Sequence, residues 1–203
     1  MMSYEQTTVT KTLLFISGFT ILSLEILGIR ILGPYVGTTA SVWAALIGVT
    51  LAGSAVGYYG GGMIADRTQR KEVFLWITAS ASICIILIPT LRSILSMVVP
   101  HTSYGIGALI GSMFLFFMPV MFLSALITYS IRVFVRNLDT IARVHGDLYA
   151  LATIGSIVGV FSTSYILIPL FTIPHILYGL GITILLFGIT ASFPSLIKRI
   201  VHS

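Results

Sequence analysis

Ionised side chains are scarce in this chain: Asp, Glu, Lys and Arg make up 8% of its 203 residues, and only six are acidic. A soluble domain carries roughly 25%, so a water-facing surface cannot be built from these residues. Cysteine is nearly absent as well. The one thiol, Cys84, stands among Ile and Leu, which excludes an internal disulfide and argues against redox chemistry. His101, His145, His175 and His202 lack ligand spacing, so neither a metal nor another cofactor is expected. With no Ser/His, paired-carboxylate or HExxH pattern, no catalytic constellation is present, and the chain is not expected to be an enzyme on its own.

Apolar sequence is abundant instead, at 57% of residues and a mean hydropathy of +1.05. Crossing a hydrocarbon core of about 30 Å takes roughly 20 apolar residues in a helix. Six stretches satisfy this, at 12–33, 41–64, 73–98, 105–131, 148–170 and 174–196. A membrane barrel would alternate in polarity over ~10 residues, whereas Leu13 to Ile16 and Ile83 to Ile88 are continuous apolar runs. The expected fold is all-α and polytopic, one transmembrane domain over 1–203, with the bilayer as its solvent. The first stretch contains Glu25 and no A-x-A-like site, so it is expected to stay as a helix and not to be cleaved as a signal.

The formal charge of +5 is explained by orientation and does not call for nucleic acid. With the N-terminus in the cytoplasm, Lys11, Arg67, Arg70, Lys71, Arg132, Arg136, Arg143, Lys198 and Arg199 all lie inside, leaving Arg30 and Arg92 near the outer face. Both termini are then cytoplasmic, in a multi-pass protein of the cell membrane.

Gly53-Ser54-Ala55-Val56-Gly57 in the second stretch recurs as Gly155-Ser156-Ile157-Val158-Gly159 in the fifth. Matching helices two and five predicts two sets of three helices that enter the membrane from opposite sides, a 3+3 inverted repeat. Lipid tails give apolar side chains no reason to leave them, so helix association relies on close approach at small residues. Gly53, Gly57 and Gly61, and Ala152, Gly155, Ser156, Gly159 and Ser162, therefore mark contact faces, and helices two and five are expected in the bundle interior. Pro119 is expected to kink the fourth helix near Phe116.

Glu25 is the most pointed polar signal, because a carboxylate at membrane depth costs on the order of 3 kcal/mol. Gly18 and Gly28 share its side of the helix, so it should face protein. Arg30, five residues on, is poorly placed to pair with it, and a partner on another helix is expected. Glu25 suits either of two roles, a cation- or proton-handling group or a structural carboxylate bonded to a nearby hydroxyl. Asp147 is expected to cap the N-terminus of the fifth helix, with Tyr149 and Thr153 extending a polar path inward.

Gly62-Met63-Ile64-Ala65-Asp66-Arg67, followed by Arg70 and Lys71, resembles the G-x-x-x-D-R-x-x-R-K loop between the second and third helices of major facilitator transporters, with Gln69 where glycine is usual. In that family the loop bridges neighbouring helix ends. Taken with Ser17-Gly18, Glu25 and Arg30 in the first helix and Gly146-Asp147-Leu148-Tyr149-Ala150 before Gly155 and Gly159, the chain is similar to the membrane domain of fused spermidine synthase-like proteins. Members of that family usually carry a soluble aminopropyltransferase domain, for which these residues hold no counterpart, so no catalytic role is transferred.

The resemblance implies one of two functions. The chain could anchor or complete a membrane complex or a separately encoded spermidine synthase-like enzyme, through Arg132, Arg136, Arg143 and Asp139. Alternatively, it is a half-transporter of polyamines or other cationic metabolites, working as a homodimer with Glu25 and Asp147 as acidic contacts. The expected partners are the lipid bilayer and either a second copy or other membrane or cytoplasmic subunits.

Overall fold

Every apolar stretch forms a helix in the computed structural model, which describes residues 4–68, 70–98, 104–134 and 141–192. The helices are α1 (Tyr4–Val36), α2 (Ala40–Arg67), α3 (Lys71–Val98), α4 (Tyr104–Phe134), α5 (from Ile141–Ser162 on through a π-turn at Thr163–Leu167 to Leu170) and α6 (Ile173–Ser192). Among the described residues all six are long and apolar enough to cross a membrane, and no strand is present. The chain is therefore a multi-pass, all-α membrane protein. Residues 193–196 of the sixth expected span, together with His101, Arg136, Asp139, Lys198, Arg199, His202 and the side chain of Arg132, lie outside the described residues.

Local chemistry sets the breaks. Gly37 ends α1 with a left-handed φ of 78°, its N–H donating to the Gly33 carbonyl at 2.8 Å. This is the αL type of C-cap that glycine adopts without a Cβ penalty. Near the end of α5 an ordinary turn would require Pro169 to donate an N–H to the Tyr165 carbonyl, and proline has none. The helix widens just before it, and the Ile168 N–H reaches back five residues to the Thr163 carbonyl. Pro119 lies inside α4, which continues through it as one helix.

Two ladders of small residues hold the bundle together. Along α2, a Cβ placed at Gly53 would stand 2.9 Å from the Phe117 carbonyl oxygen, one at Gly57 2.9 Å from the Ser124 Cβ, and one at Gly61 2.8 Å from the Ala125 Cα. Along α5, a Cβ at Gly155 would meet the Phe15 carbonyl carbon at 2.9 Å, and one at Gly159 the Phe19 Cα at 2.9 Å. Helix α2 thus lies backbone to backbone along α4, and α5 along α1.

The two ladders are copies of one another. Gly155 stands 102 residues after Gly53, and Phe117 stands 102 after Phe15; the rung Gly57–Met121 corresponds in the same way to Gly159–Phe19. The third rung, Gly61–Ala125, has Thr163–Ser23 as its counterpart. There the Thr163 hydroxyl donates to Ser23 Oγ at 2.8 Å. One offset thus relates α1 to α4 and α2 to α5. Gly28 packs on Phe116 while Leu32 packs on Gly111, so α1 and α4 run in opposite directions. The repeat is inverted, as the pentapeptide pair predicts.

The interior belongs to different helices from those expected. Within the apolar windows, 61% of α1 and 50% of α4 is buried, against 33% of α2 and 22% of α5. Glycine marks where a helix touches, not how many neighbours it has. Helices α2 and α5 each press one small face inward and expose the other, while α1 and α4 fill the centre with Leu24, Leu27, Phe116, Val120 and Leu123.

Substitution should separate the ladders from glycines that touch nothing. Gly57→Ala and Gly159→Ala each force backbones apart and are expected to lower stability by about 1–3 kcal/mol. Gly60→Ala, with open space around it, should be neutral or stabilising by up to ~1 kcal/mol. Thermal unfolding of the detergent-solubilised protein reads the difference.

Candidate functional site

Because α2 is fastened to α4 and α5 to α1, a gap remains between α2 and α5. It forms a cavity of ≈ 400 Å³. Its lining comes from Gly18, Ile21, Leu22 and Glu25 of α1, Thr50, Leu51, Ser54 and Tyr58 of α2, Ile127 of α4, and Tyr149, Ala152, Thr153, Ser156, Ile157 and Val160 of α5. The 102-residue offset pairs much of this lining with itself: Glu25 with Ile127, Thr50 with Ala152, Leu51 with Thr153, Ser54 with Ser156, and Tyr58 with Val160. The cavity therefore straddles the pseudo-two-fold axis, where inverted-repeat transporters place their substrate and ion sites.

Glu25 is half-buried and lines this cavity near the middle of α1. The partner expected from another helix is not found among the described residues. Among the described residues Glu25 makes no hydrogen bond and no ion pair, so the structural role, a carboxylate tied to a neighbouring hydroxyl, is not the observed arrangement. Arg30 is exposed toward the far end of α1 and outside the lining. Among the described residues Glu25 is the lining's one carboxyl, and no Lys, Arg or His lines the cavity.

The hydroxyls around it are mostly committed to the backbone. Thr50 donates to the Ile47 carbonyl at 3.0 Å, Thr153 to the Tyr149 carbonyl at 2.9 Å, and Ser156 to the Gly18 carbonyl at 3.0 Å. Ser124 of α4 donates to Ser54 at 3.1 Å, and the Tyr58 hydroxyl interacts with those of Ser124 and Tyr149. The Tyr58 and Tyr149 rings stand 6.4 Å apart and span the gap between α2 and α5. On its other side Tyr149 stacks at 5.9 Å on the exposed ring of His145. Tyr149 and Thr153 both line the cavity.

Asp147 does not. Helix α5 is already formed at Ile141, which puts Asp147 in its second turn, exposed and outside the cavity lining. It is not the N-cap that the apolar boundary at 148 suggested, because the first two turns of α5 are polar and escape a hydropathy reading. Neither Arg30 nor Asp147 joins Glu25 and Tyr149, so two of the four residues expected to form an intramembrane polar site come together. Thr50, Ser54 and Tyr58 were missed, although applying the 102-residue offset to Ala152, Ser156 and Val160 points to them.

The loop motif lies at the end of the bundle that carries Arg67, Arg70 and Arg143. A Cβ placed at Gly62 would stand 3.6 Å from the Thr128 methyl, and Asp66, Arg67 and Arg70 are exposed. The loop is tied to α4 through Tyr129, a buried residue that sequence reasoning passed over. Its hydroxyl donates to the Arg70 carbonyl at 2.7 Å and its ring meets Phe74 edge-on at 5.0 Å. Trp76 lies near this end and Trp43 near the other, both exposed, as tryptophans at the two membrane interfaces would be.

No family model, curated protein or solved structure matches this chain. The similarity to fused spermidine synthase-like membrane domains rests on the motifs alone. Among the described residues no group of three metal-ligating side chains occurs.

Removing the Tyr129 hydroxyl tests the loop anchor. Tyr129→Phe should cost about 1 kcal/mol and raise amide hydrogen exchange in residues 68–73, leaving the middle of α1 unchanged.

Proposed function

We propose that the protein is a half-transporter for a small cationic metabolite, set in the cell membrane with both termini on the cytoplasmic face. One observation carries this reading: a carboxylate with no partner among the described residues, half-buried near the middle of its helix, lines a hydroxyl-bearing cavity between the two halves of an inverted repeat. An intramembrane acid without a counter-charge is expensive, and a cationic solute or a proton supplies what the protein leaves out. Among the described residues Lys11, Arg67, Arg70 and Arg143 stand at one end of the bundle, which supports the orientation. Polyamines, to which the family resemblance points, belong to this cationic class.

The repeat also suggests how access would alternate. Tyr58 and Tyr149 bridge α2 and α5 on the side of the cavity nearer the Arg67 end. Their counterparts at the same offset are Val160 and Ile47, toward the other end. Rocking one three-helix set against the other would separate the residues at one end and bring those at the opposite end together. Leu51 and Ile157 line the cavity yet are 66% and 52% exposed, so its flank is open in a single chain. A second copy placed there would shield Glu25 from acyl chains, in keeping with a homodimer. The anchor or complex-subunit role draws on Arg132, Arg136, Arg143 and Asp139, of which only Arg143 has a described side chain, and no observation favours it.

Uptake of labelled organic amines, polyamines included, into proteoliposomes tests the proposal. Uptake should be saturable, and Glu25→Gln should reduce it by roughly tenfold or more, the loss of a charge pair worth more than 1.4 kcal/mol. Absence of uptake across the panel, or full uptake by a folded Glu25→Gln protein, would remove the proposal. Bridging cysteines at 58 and 149 with a short bis-methanethiosulfonate, which forms a disulfide to each thiol by displacing sulfinate, in a Cys84→Ser background, should stop uptake until a reductant cleaves the bridge.

A further inference from the structure

We infer that the cavity is built for a primary monoammonium, R–NH₃⁺, and that each chain takes one positive charge and not the several of a polyamine. This rests on the transport reading of the same cavity and narrows its substrate.

Charge decides first. Among the described residues Glu25 is the one carboxyl in the lining, and its carboxylate neutralises one ammonium. A second ammonium on the same ligand would face Leu22, Leu51 or Ile157 at membrane depth with no counter-charge.

Hydrogen-bond polarity decides next. A hydroxyl carries one hydrogen and two lone pairs, and the hydrogens of Thr50, Thr153 and Ser156 are already given to backbone carbonyls. What these side chains offer to the cavity is lone pairs. Together with the carboxylate these three make the wall rich in acceptors, beside Ser54, which accepts from Ser124 and keeps its own hydrogen, and the excess of acceptors suits a donor-rich head with three N–H bonds. A quaternary ammonium has no N–H and would leave that wall unpaired. A divalent metal ion fits poorly as well, since calcium takes six to eight oxygen ligands including charged carboxylates and the lining holds one carboxylate.

The body of the ligand follows from the rest of the wall. Tyr58 and Tyr149 bring two aromatic rings to the lining, the residue type that attracts a cation, and Leu22, Leu51 and Ile157 accept a short hydrocarbon tail. A cavity of ≈ 400 Å³ lies within the range of small-molecule sites.

Calorimetric titration of the detergent-purified wild-type chain with three probes tests this without relying on any variant. n-Pentylammonium should bind once per chain, with N,N,N-trimethylpentylammonium and 1,5-diaminopentane each weaker by roughly tenfold or more. Thr153→Val should weaken n-pentylammonium less than Glu25→Gln does. Equal or tighter binding of the diamine, or of the trimethyl analogue, overturns the inference, as does failure of n-pentylammonium to bind. The two proposals fail separately. A monoamine that binds but never crosses a proteoliposome defeats transport and leaves this assignment standing, and a diamine carried in preference to monoamines defeats the assignment and leaves transport standing.

Discussion

Direct contact between helix backbones is the interaction on which the rest of this molecule depends. In lipid, a leucine gains little by leaving the acyl chains for the protein interior, so helices associate where their main chains come close enough for dense van der Waals contact. Two glycine ladders supply that contact, each clamping an outer helix to a central one. The clamps also decide what is left open. With α2 committed to α4 and α5 to α1, the two outer helices meet each other through Tyr58 and Tyr149, and the space between them becomes the cavity. Packing and site have one cause.

The repeat makes the cavity symmetric in position, while the residues make it asymmetric in chemistry. Glu25 faces a lining whose related position is Ile127, and Tyr58 has Val160 as its counterpart. Duplication of a three-helix unit gives a frame with two equivalent halves, and substitution on one side turns the shared gap into a place with a charged wall and an apolar wall. The third rung shows the same divergence in the scaffold: the bare Gly61–Ala125 contact becomes the Thr163–Ser23 hydrogen bond next to the π-turn. A π-turn inside an otherwise regular helix is frequent near functional sites, and this one ends within reach of the helix that carries Glu25.

Much of this architecture is legible in the amino-acid order, for physical reasons that differ from element to element. Apolar run length reports the number of helices because bilayer thickness sets it. The repeated Gly-Ser-x-Val-Gly reports the inverted repeat because a backbone contact tolerates few residue types. Other features leave weaker traces. The start of α5 is hidden because Arg143, His145 and Asp147 make its first turns polar. The central position of α1 and α4 is hidden because leucine reads alike whether it faces lipid or protein. Thr50, Ser54 and Tyr58 are ordinary residues one at a time, and only their convergence on Glu25 makes them a site. That Glu25 has no partner among the described residues is likewise a property of three-dimensional placement.

The central claim is that the gap between α2 and α5 is a polar compartment within the membrane and not a seam filled by lipid. Thiol labelling measures this most directly. In a Cys84→Ser background, cysteines at Ser54 and Ser156, which line the cavity, should react readily with a small cationic thiol reagent in intact membranes. Cysteines at Val56 and Ile154, 48% and 52% exposed but outside the lining, should stay unreacted because acyl chains cover them. Silence at Ser54 and Ser156, or labelling of Val56 and Ile154 at the same rate, would contradict the account.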